Sequence, residues 1–115
     1  MKKEIKEKWL TALRSGEYQQ TKGVLQCGGK YCCLGVLSDI YAKENDVQWQ
    51  KGETDSVKCR LHHNTEVMPL EVIKWAGLSD MNPLVRVQGF DKPLAEINDE
   101  GMSFLEIADI IEQQL

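Results

Sequence analysis

The sequence has no long hydrophobic run, and no stretch approaches the 18 or more apolar residues that a membrane span needs. No apolar segment follows the lysines at the N-terminus, so we expect no signal peptide. These absences predict a cytoplasmic protein that has no membrane partner. The four cysteines are then expected to be reduced, because the cytosol disfavours disulfides.

The motifs that mark common enzyme classes are also absent. Nothing resembles GxGxxG, and Gly28-Gly29-Lys30 is too short for a P-loop. A calcium loop needs acidic ligands at spaced positions, and the segment that contains Asn98, Asp99 and Gly101 lacks them. The acidic residues suggest no carboxylate pair at a separation suited to glycoside chemistry. The sequence therefore predicts a protein that is not an enzyme, with no catalytic residue, no resident metal and no cofactor.

Cationic residues are missing from the last part of the chain. Lys and Arg number 14 against 18 Asp and Glu, for a net charge of −4 and a pI near 5.2. Four lysines lie within the first eight residues, whereas no Lys or Arg follows Lys92. This asymmetry predicts two solvated helix faces of opposite charge that lie near each other. The alternative is an acidic surface that docks on a basic host protein or mimics nucleic acid; the low pI argues against nucleic acid as a partner.

A length of 115 residues, 42% of them hydrophobic, predicts one domain over 1–115. Apolar residues at helical spacing predict four helices, and alternating or turn-bounded segments predict short strands. The fold class is therefore α+β, a compact single domain with about four helices and a small antiparallel sheet of short strands. The helices are expected over 2–14, over 31–44, from Pro69 to Gly77 and after Ser103; the strands over 22–26, 47–50, 57–61 and 84–88, with turns at 27–30 and 98–101 and a loop at 51–55.

Gly35 lies inside a predicted helix, where glycine costs about 1 kcal/mol relative to alanine. A glycine at such a position indicates that another group packs very close to the helix. That group is either a second backbone segment or a ligand.

The cysteines allow three interpretations. As buried, reduced residues they act as small apolar side chains, which is the main interpretation for Cys32 and Cys33. Cys27-x4-Cys32 with Cys59-x2-His62 supplies four ligands that suit zinc, so a small zinc-stabilised module is one alternative. A cysteine-dependent enzyme, with Cys32 or Cys33 beside His62 or His63, is another.

A polar, aromatic and cationic group of residues follows the first predicted helix. Arginine and lysine suit phosphates, and tyrosine stacks on bases or closes a pocket. Trp49, between two glutamines in a polar segment, is a second candidate contact for a partner. The structural alternatives are that Arg14 ends its helix, that Tyr18 packs on its side and that Trp49 covers the edge of the core. The predicted ligand-binding residues are Arg14, Tyr18, Gln20, Lys22, Lys30 and Trp49.

Several blocks of sequence resemble a family of small uncharacterised proteins of phages, prophages and bacteria. The blocks are Trp9-x-x-Ala-Leu-Arg-Ser-Gly16, Tyr31-Cys-Cys-Leu-Gly-Val-Leu37, Trp75-Ala-Gly-Leu78, Asn82-Pro83 and Asn98-Asp-x-Gly-x-Ser-Phe104 with Ile107-Ala-Asp109. Members of that family often have a third cysteine where this chain has Ser38, which weakens the case for a fixed metal or redox centre. The resemblance implies a phage-related origin and brings no catalytic residues.

The function predicted from these observations is an accessory binding protein of phage or prophage type. It is expected to inhibit or sequester a host component, for instance as an anti-defence protein. Its partner is a nucleotide-like signal or a host protein. A homo-oligomer fits this hypothesis, since small sequestering proteins often build pockets between subunits.

Overall fold

The structure is a computed structural model that describes residues 1–51 and 59–115. In these ranges it contains α1 (Lys3–Arg14), β1 (Gln19–Gln20), β2 (Gln26–Cys27), β3 (Lys30–Tyr31), α2 (Cys33–Glu44), α3 (Leu70–Ala76), β4 (Leu84–Val87), β5 (Phe90–Pro93), α4 (Leu94–Asp99) and α5 (Phe104–Gln114). The predicted α+β class is confirmed. Four of the described helices have seven or more residues, and the short α4 is an additional one that the pattern of apolar residues did not indicate.

Helix α2 is the centre of the fold, and α1, α3, α4 and β3 all contact it. The indole of Trp9, on α1, is fully buried and donates a 3.0 Å hydrogen bond to the carbonyl of Cys33 in the first turn of α2. This bond replaces the one that the indole N–H makes to water, so Trp9 fills the core without leaving a polar atom unsatisfied.

Helix α1 also packs against α5, which brings the basic start of the chain beside its acidic end. Arg14 bonds both Asp109 and Glu112 at 2.8 Å, and Lys6 donates to the carbonyl of Glu112 at 3.0 Å. The expectation that the two oppositely charged helices are neighbours is therefore confirmed.

A small sheet in the order β1-β3-β2 precedes α2. Strand β1 pairs parallel to β3, and β2 pairs antiparallel to β3. Gly28 and Gly29 connect β2 to β3 with φ of 57° and 78°, so the predicted turn is confirmed as a two-residue hairpin. The strand predicted over 22–26 is wrong for most of its length, because Gly23 at φ 79° bends the chain before β2 begins.

The bend places Leu25 against the first turn of α2. The carbonyl of Leu25 accepts from the amide of Cys32 at 3.1 Å, and a Cβ built at Gly35 would overlap that same carbonyl oxygen. The close neighbour predicted for Gly35 is therefore a backbone segment. Helix α2 begins two residues later than predicted, since Lys30 and Tyr31 pair in the sheet and Cys32 is the N-cap.

The second sheet is the hairpin β4–β5, which leads directly into α4. Its outer edge is covered by Gln114 of α5, whose side chain pairs with the amide and carbonyl of Arg86 at 2.6 and 2.8 Å. Helix α5 begins with the predicted capping box of Ser103 and Glu106.

Between α2 and α3, the described residues 45–51 and 59–69 contain isolated β-bridges rather than strands. Of the strands predicted over 47–50 and 57–61, the described residues show an antiparallel bridge between Gln50 and Arg60, and Leu61 forms a second bridge with Asn64. The predicted loop beyond Lys51 and residues 57 and 58 lie outside the described residues. Each helix in the described part of the chain is too short or too polar to cross a bilayer.

Candidate functional site

A buried carboxylate, Asp39 on α2, joins three segments of the chain. The hydroxyl of Tyr18 donates to Oδ2 at 2.6 Å, and the indole N–H of Trp49 donates to Oδ1 at 2.9 Å. Lys43, one helical turn after Asp39, places its Nζ 3.0 Å from Oδ2. These bonds compensate the burial of the carboxylate and hold two aromatic rings in defined positions.

Tyr31 completes a row of aromatic rings beside Asp39. Its ring lies edge-on to Tyr18 at 5.0 Å between centroids and edge-on to Trp49 at 6.1 Å. Strand β1 pairs with β3 so that Tyr31 lies beside Gln20. Because Gln20 follows Tyr18 by two residues, this pairing brings the two tyrosines together. Edge-to-face contacts of this kind add to the stability of aromatic clusters.

Both phenols are held in the protonated form. Burial, followed by the hydrogen bond to Asp39, raises the pKa of Tyr18. Burial, followed by the charge of Asp39, raises the pKa of Tyr31 to about 12. At neutral pH the Tyr18 hydroxyl therefore acts as the donor to Asp39.

A groove of about 520 Å³ opens beside this cluster, between α2 and the segment that carries Trp49. We call it the aromatic groove; the side chains that give it chemical character are Tyr31, Trp49, Asp39, Asp46, Lys43 and Lys51. The amides of Gln26 and Gln48 add hydrogen-bonding groups to its walls. The size lies in the range of small-molecule sites, and the walls combine aromatic surface with charges of both signs.

The six ligand-binding residues predicted from sequence do not form one cluster. Tyr18 and Trp49 are brought together through Asp39, and Trp49 lines the aromatic groove. Arg14 faces α5, where two carboxylates raise its pKa through hydrogen bonds. Gln20 donates to Asn98 at 2.9 Å and to the carbonyl of Met102 at 2.8 Å, so its amide holds α4 and the start of α5.

The two predicted lysines, Lys22 and Lys30, are exposed. The Nζ of Lys22 lies beside Gly101, and Lys30 is exposed in the β2–β3 hairpin, where its backbone pairs with Gln19 and Cys27. Neither belongs to the walls that the described residues give the aromatic groove.

Sequence reasoning did not single out Asp39, Tyr31 or Lys43. A usable signal was present, since Asp39 is an acidic residue inside a helix predicted to be largely buried. Lys43 follows at i+4, where a cation pairs with it on one helix face. The contact with Trp49 has no local signal, because Trp49 lies in an irregular segment after the helix.

The cysteines and histidines occupy separate places. Cys32 Sγ accepts from the amide of Gly35 at 3.3 Å, while His62 Nε2 lies 3.1 Å from the hydroxyl of Tyr41 and its Nδ1 3.1 Å from Glu71. The zinc set of Cys27, Cys32, Cys59 and His62 is therefore not assembled. Across residues 1–51 and 59–115, no group of three His, Cys, Asp or Glu residues is placed to hold a metal ion.

Burial also makes Cys32 and Cys33 poor nucleophiles. It raises the pKa of Cys32 to about 11 and that of Cys33 well above its usual value. The Cys33 thiol lies 3.6 Å from the carbonyl of Leu94, to which it donates. Because the thiolate is the reactive form, this environment argues against the cysteine-dependent enzyme with His62 or His63.

We expect Ellman's reagent to react promptly with one thiol of the folded protein, Cys27, which is the partly exposed cysteine. Cys32, Cys33 and Cys59 are buried and should react only when the chain unfolds in guanidinium. The variant Cys27→Ser is the control and should show no prompt reaction. A prompt reaction that persists in Cys27→Ser would contradict the assignment.

Comparisons with other proteins give a family and no characterised relative. Searches of curated proteins and of solved structures found no significant match. A family model described as a domain of unknown function matches residues 1–115, which is the whole chain. The chain belongs to this family, DUF8296.

Proposed function

We propose that this protein binds a small nucleotide-like molecule in the aromatic groove. It would act in the cytoplasm as an accessory binding protein of phage or prophage type that sequesters a host signal, as an anti-defence protein does. The observation that carries the proposal is the aromatic row held by Asp39 at the edge of a groove of about 520 Å³. Preorganised aromatic walls favour binding, because less side-chain entropy is lost when the ligand arrives.

The groove has separate groups for the two ends of a nucleotide. Tyr31 and Trp49 supply π-surfaces on which a base stacks, an interaction worth about 1–3 kcal/mol per base. Lys43 and Lys51 supply ammonium groups for a phosphate. The Lys43 side chain is 72% exposed, so the ammonium group that pairs with Asp39 is also open to a ligand phosphate.

The test is isothermal titration of mono- and dinucleotides into the purified protein. We expect a member of this panel to bind, and Trp49→Ala to weaken its binding about tenfold or more through the loss of stacking. Trp75→Phe is the matched control. The Trp75 ring packs on Tyr41 of α2, outside the aromatic groove, so this substitution should leave the affinity unchanged. No binding across the panel, or equal binding by Trp49→Ala, would reject the proposal.

Native mass spectrometry of freshly purified protein tests the same proposal without a choice of ligand. A retained mass of nucleotide size is expected, and it should be lost from Trp49→Ala. The spectrum also gives the number of subunits and so tests the predicted homo-oligomer. A second subunit would enclose a ligand more fully than the open groove of one chain does.

A further inference from the structure

A second groove lies between α1 and α2 and is bordered by Tyr18. Its volume is about 570 Å³ and its surface is mainly apolar. Ala12, Ile40 and the ring of Tyr18 supply the apolar surface, and all three are partly exposed. We call it the α1–α2 groove.

The rim of the α1–α2 groove is acidic. Glu4, Glu7 and Glu17 line it together with one cation, Lys8. The Nζ of Lys8 is bound to the carboxylate of Glu44 at 2.8 Å, so its charge is already compensated. The three glutamates are exposed, which leaves the groove with an excess of negative charge.

Helix α1 carries charged side chains of both signs. Arg14 and Lys6 point toward α5, where they meet acidic residues and a backbone carbonyl. Glu4 and Glu7 line the α1–α2 groove with Lys8. Carboxylates therefore outnumber cations among the residues that line this groove.

We propose that the α1–α2 groove docks a basic amphipathic helical segment of a partner protein. Apolar side chains of the segment would cover Ala12, Ile40 and Tyr18, and its lysines or arginines would pair with the glutamates of the rim. Helix α1 has 12 residues, which corresponds to about 18 Å of helix axis and so to about three turns of a docked helix. Nucleic acids and anionic lipids are disfavoured, because their phosphates would meet the carboxylates.

The probe for this proposal is a fluorescein-labelled peptide of leucine and lysine, with leucines at i, i+3, i+4 and i+7 so that they share one helix face. Fluorescence anisotropy measures its binding to the intact protein. A peptide of the same composition in scrambled order tests the need for an apolar face, and a leucine–glutamate peptide tests the need for positive charge. We expect the amphipathic basic peptide to bind at least tenfold more tightly than either.

Two charge reversals distinguish binding in this groove from nonspecific attraction of a basic peptide to an acidic protein. Glu7→Lys, in the rim, should weaken binding about fivefold or more. Glu96→Lys, on α4, changes the net charge equally at an exposed helical glutamate outside the groove, and should change the affinity less than twofold. Ala12→Trp fills the apolar floor and should also weaken binding, with circular dichroism confirming that each variant is folded.

Three results would overturn the proposal. The first is no binding of the amphipathic peptide. The second is equal binding of the scrambled peptide. The third is equal weakening by Glu7→Lys and Glu96→Lys, because attraction by overall charge would then account for the binding.

Discussion

Alanine at Gly35 is expected to lower the free energy of unfolding by about 3 kcal/mol or more. A Cβ at this position overlaps the carbonyl oxygen of Leu25, which is backbone and cannot rotate away. That carbonyl also accepts the amide of Cys32 at the start of α2, so displacing it breaks a hydrogen bond as well. Denaturation by guanidinium, followed by circular dichroism, measures the change.

Gly16→Ala is the control for this substitution. Gly16 has φ 78° but open space around its Cα, so alanine there meets conformational strain without a clash. Its cost should be about 1 kcal/mol. Equal costs at the two positions would mean that the contact of Gly35 with Leu25 does not hold α2 in place.

Removing the carboxylate of Asp39 is expected to damage both stability and the aromatic groove. In Asp39→Ala the Tyr18 hydroxyl and the Trp49 indole lose a charged acceptor, and we expect a cost of about 2–3 kcal/mol in the free energy of unfolding. Nucleotide binding should weaken at least tenfold in the same variant, because the two rings are no longer held. Chemical denaturation and calorimetric titration measure the two effects.

Lys43→Ala separates the contribution of the Lys43–Asp39 ion pair to stability from that of the hydrogen bonds that Tyr18 and Trp49 donate to Asp39. The Lys43 side chain is largely exposed, so its attraction to Asp39 is screened by water and its loss should cost less than about 1 kcal/mol. If Lys43→Ala proved as destabilising as Asp39→Ala, the ion pair would be the main contribution and the assigned role of Asp39 would be wrong.

Tyr18 connects the two proposed binding surfaces. Its ring lines the α1–α2 groove, and its hydroxyl bonds the carboxylate that borders the aromatic groove. A partner helix that covers the ring would therefore contact the residue that holds Asp39. The two surfaces remain separable by experiment, since Trp49→Ala changes one groove and Glu7→Lys changes the other.

Local signals in the sequence were sufficient for the main helices and turns. Helix α1 follows from the apolar stripe that contains Trp9, and α5 begins at the capping box of Ser103. The paired glycines between β2 and β3 adopt the positive φ that their turn requires. These features depend on neighbouring residues, so the sequence predicts them without knowledge of the tertiary contacts.

Short elements were harder to predict. Helix α4 has six residues, and it is held by Asn98, whose side chain bonds Gln20, the amide of Cys33 and the carbonyl of Thr21. These partners come from distant parts of the chain, so the pattern of apolar residues within a six-residue helix cannot predict them. Gln20, predicted as a ligand contact, is one of the groups that fix α4.

The sequence by itself determined the α+β class, the opposite charges of the two ends and the need for a close neighbour at Gly35. Only the tertiary structure decided that this neighbour is the backbone of Leu25, and that Asp39 organises Tyr18 and Trp49. The physical reason is that helices and turns arise from interactions a few residues apart. A buried carboxylate instead takes its partners from wherever folding brings donors, here from a segment before the helix and a segment after it.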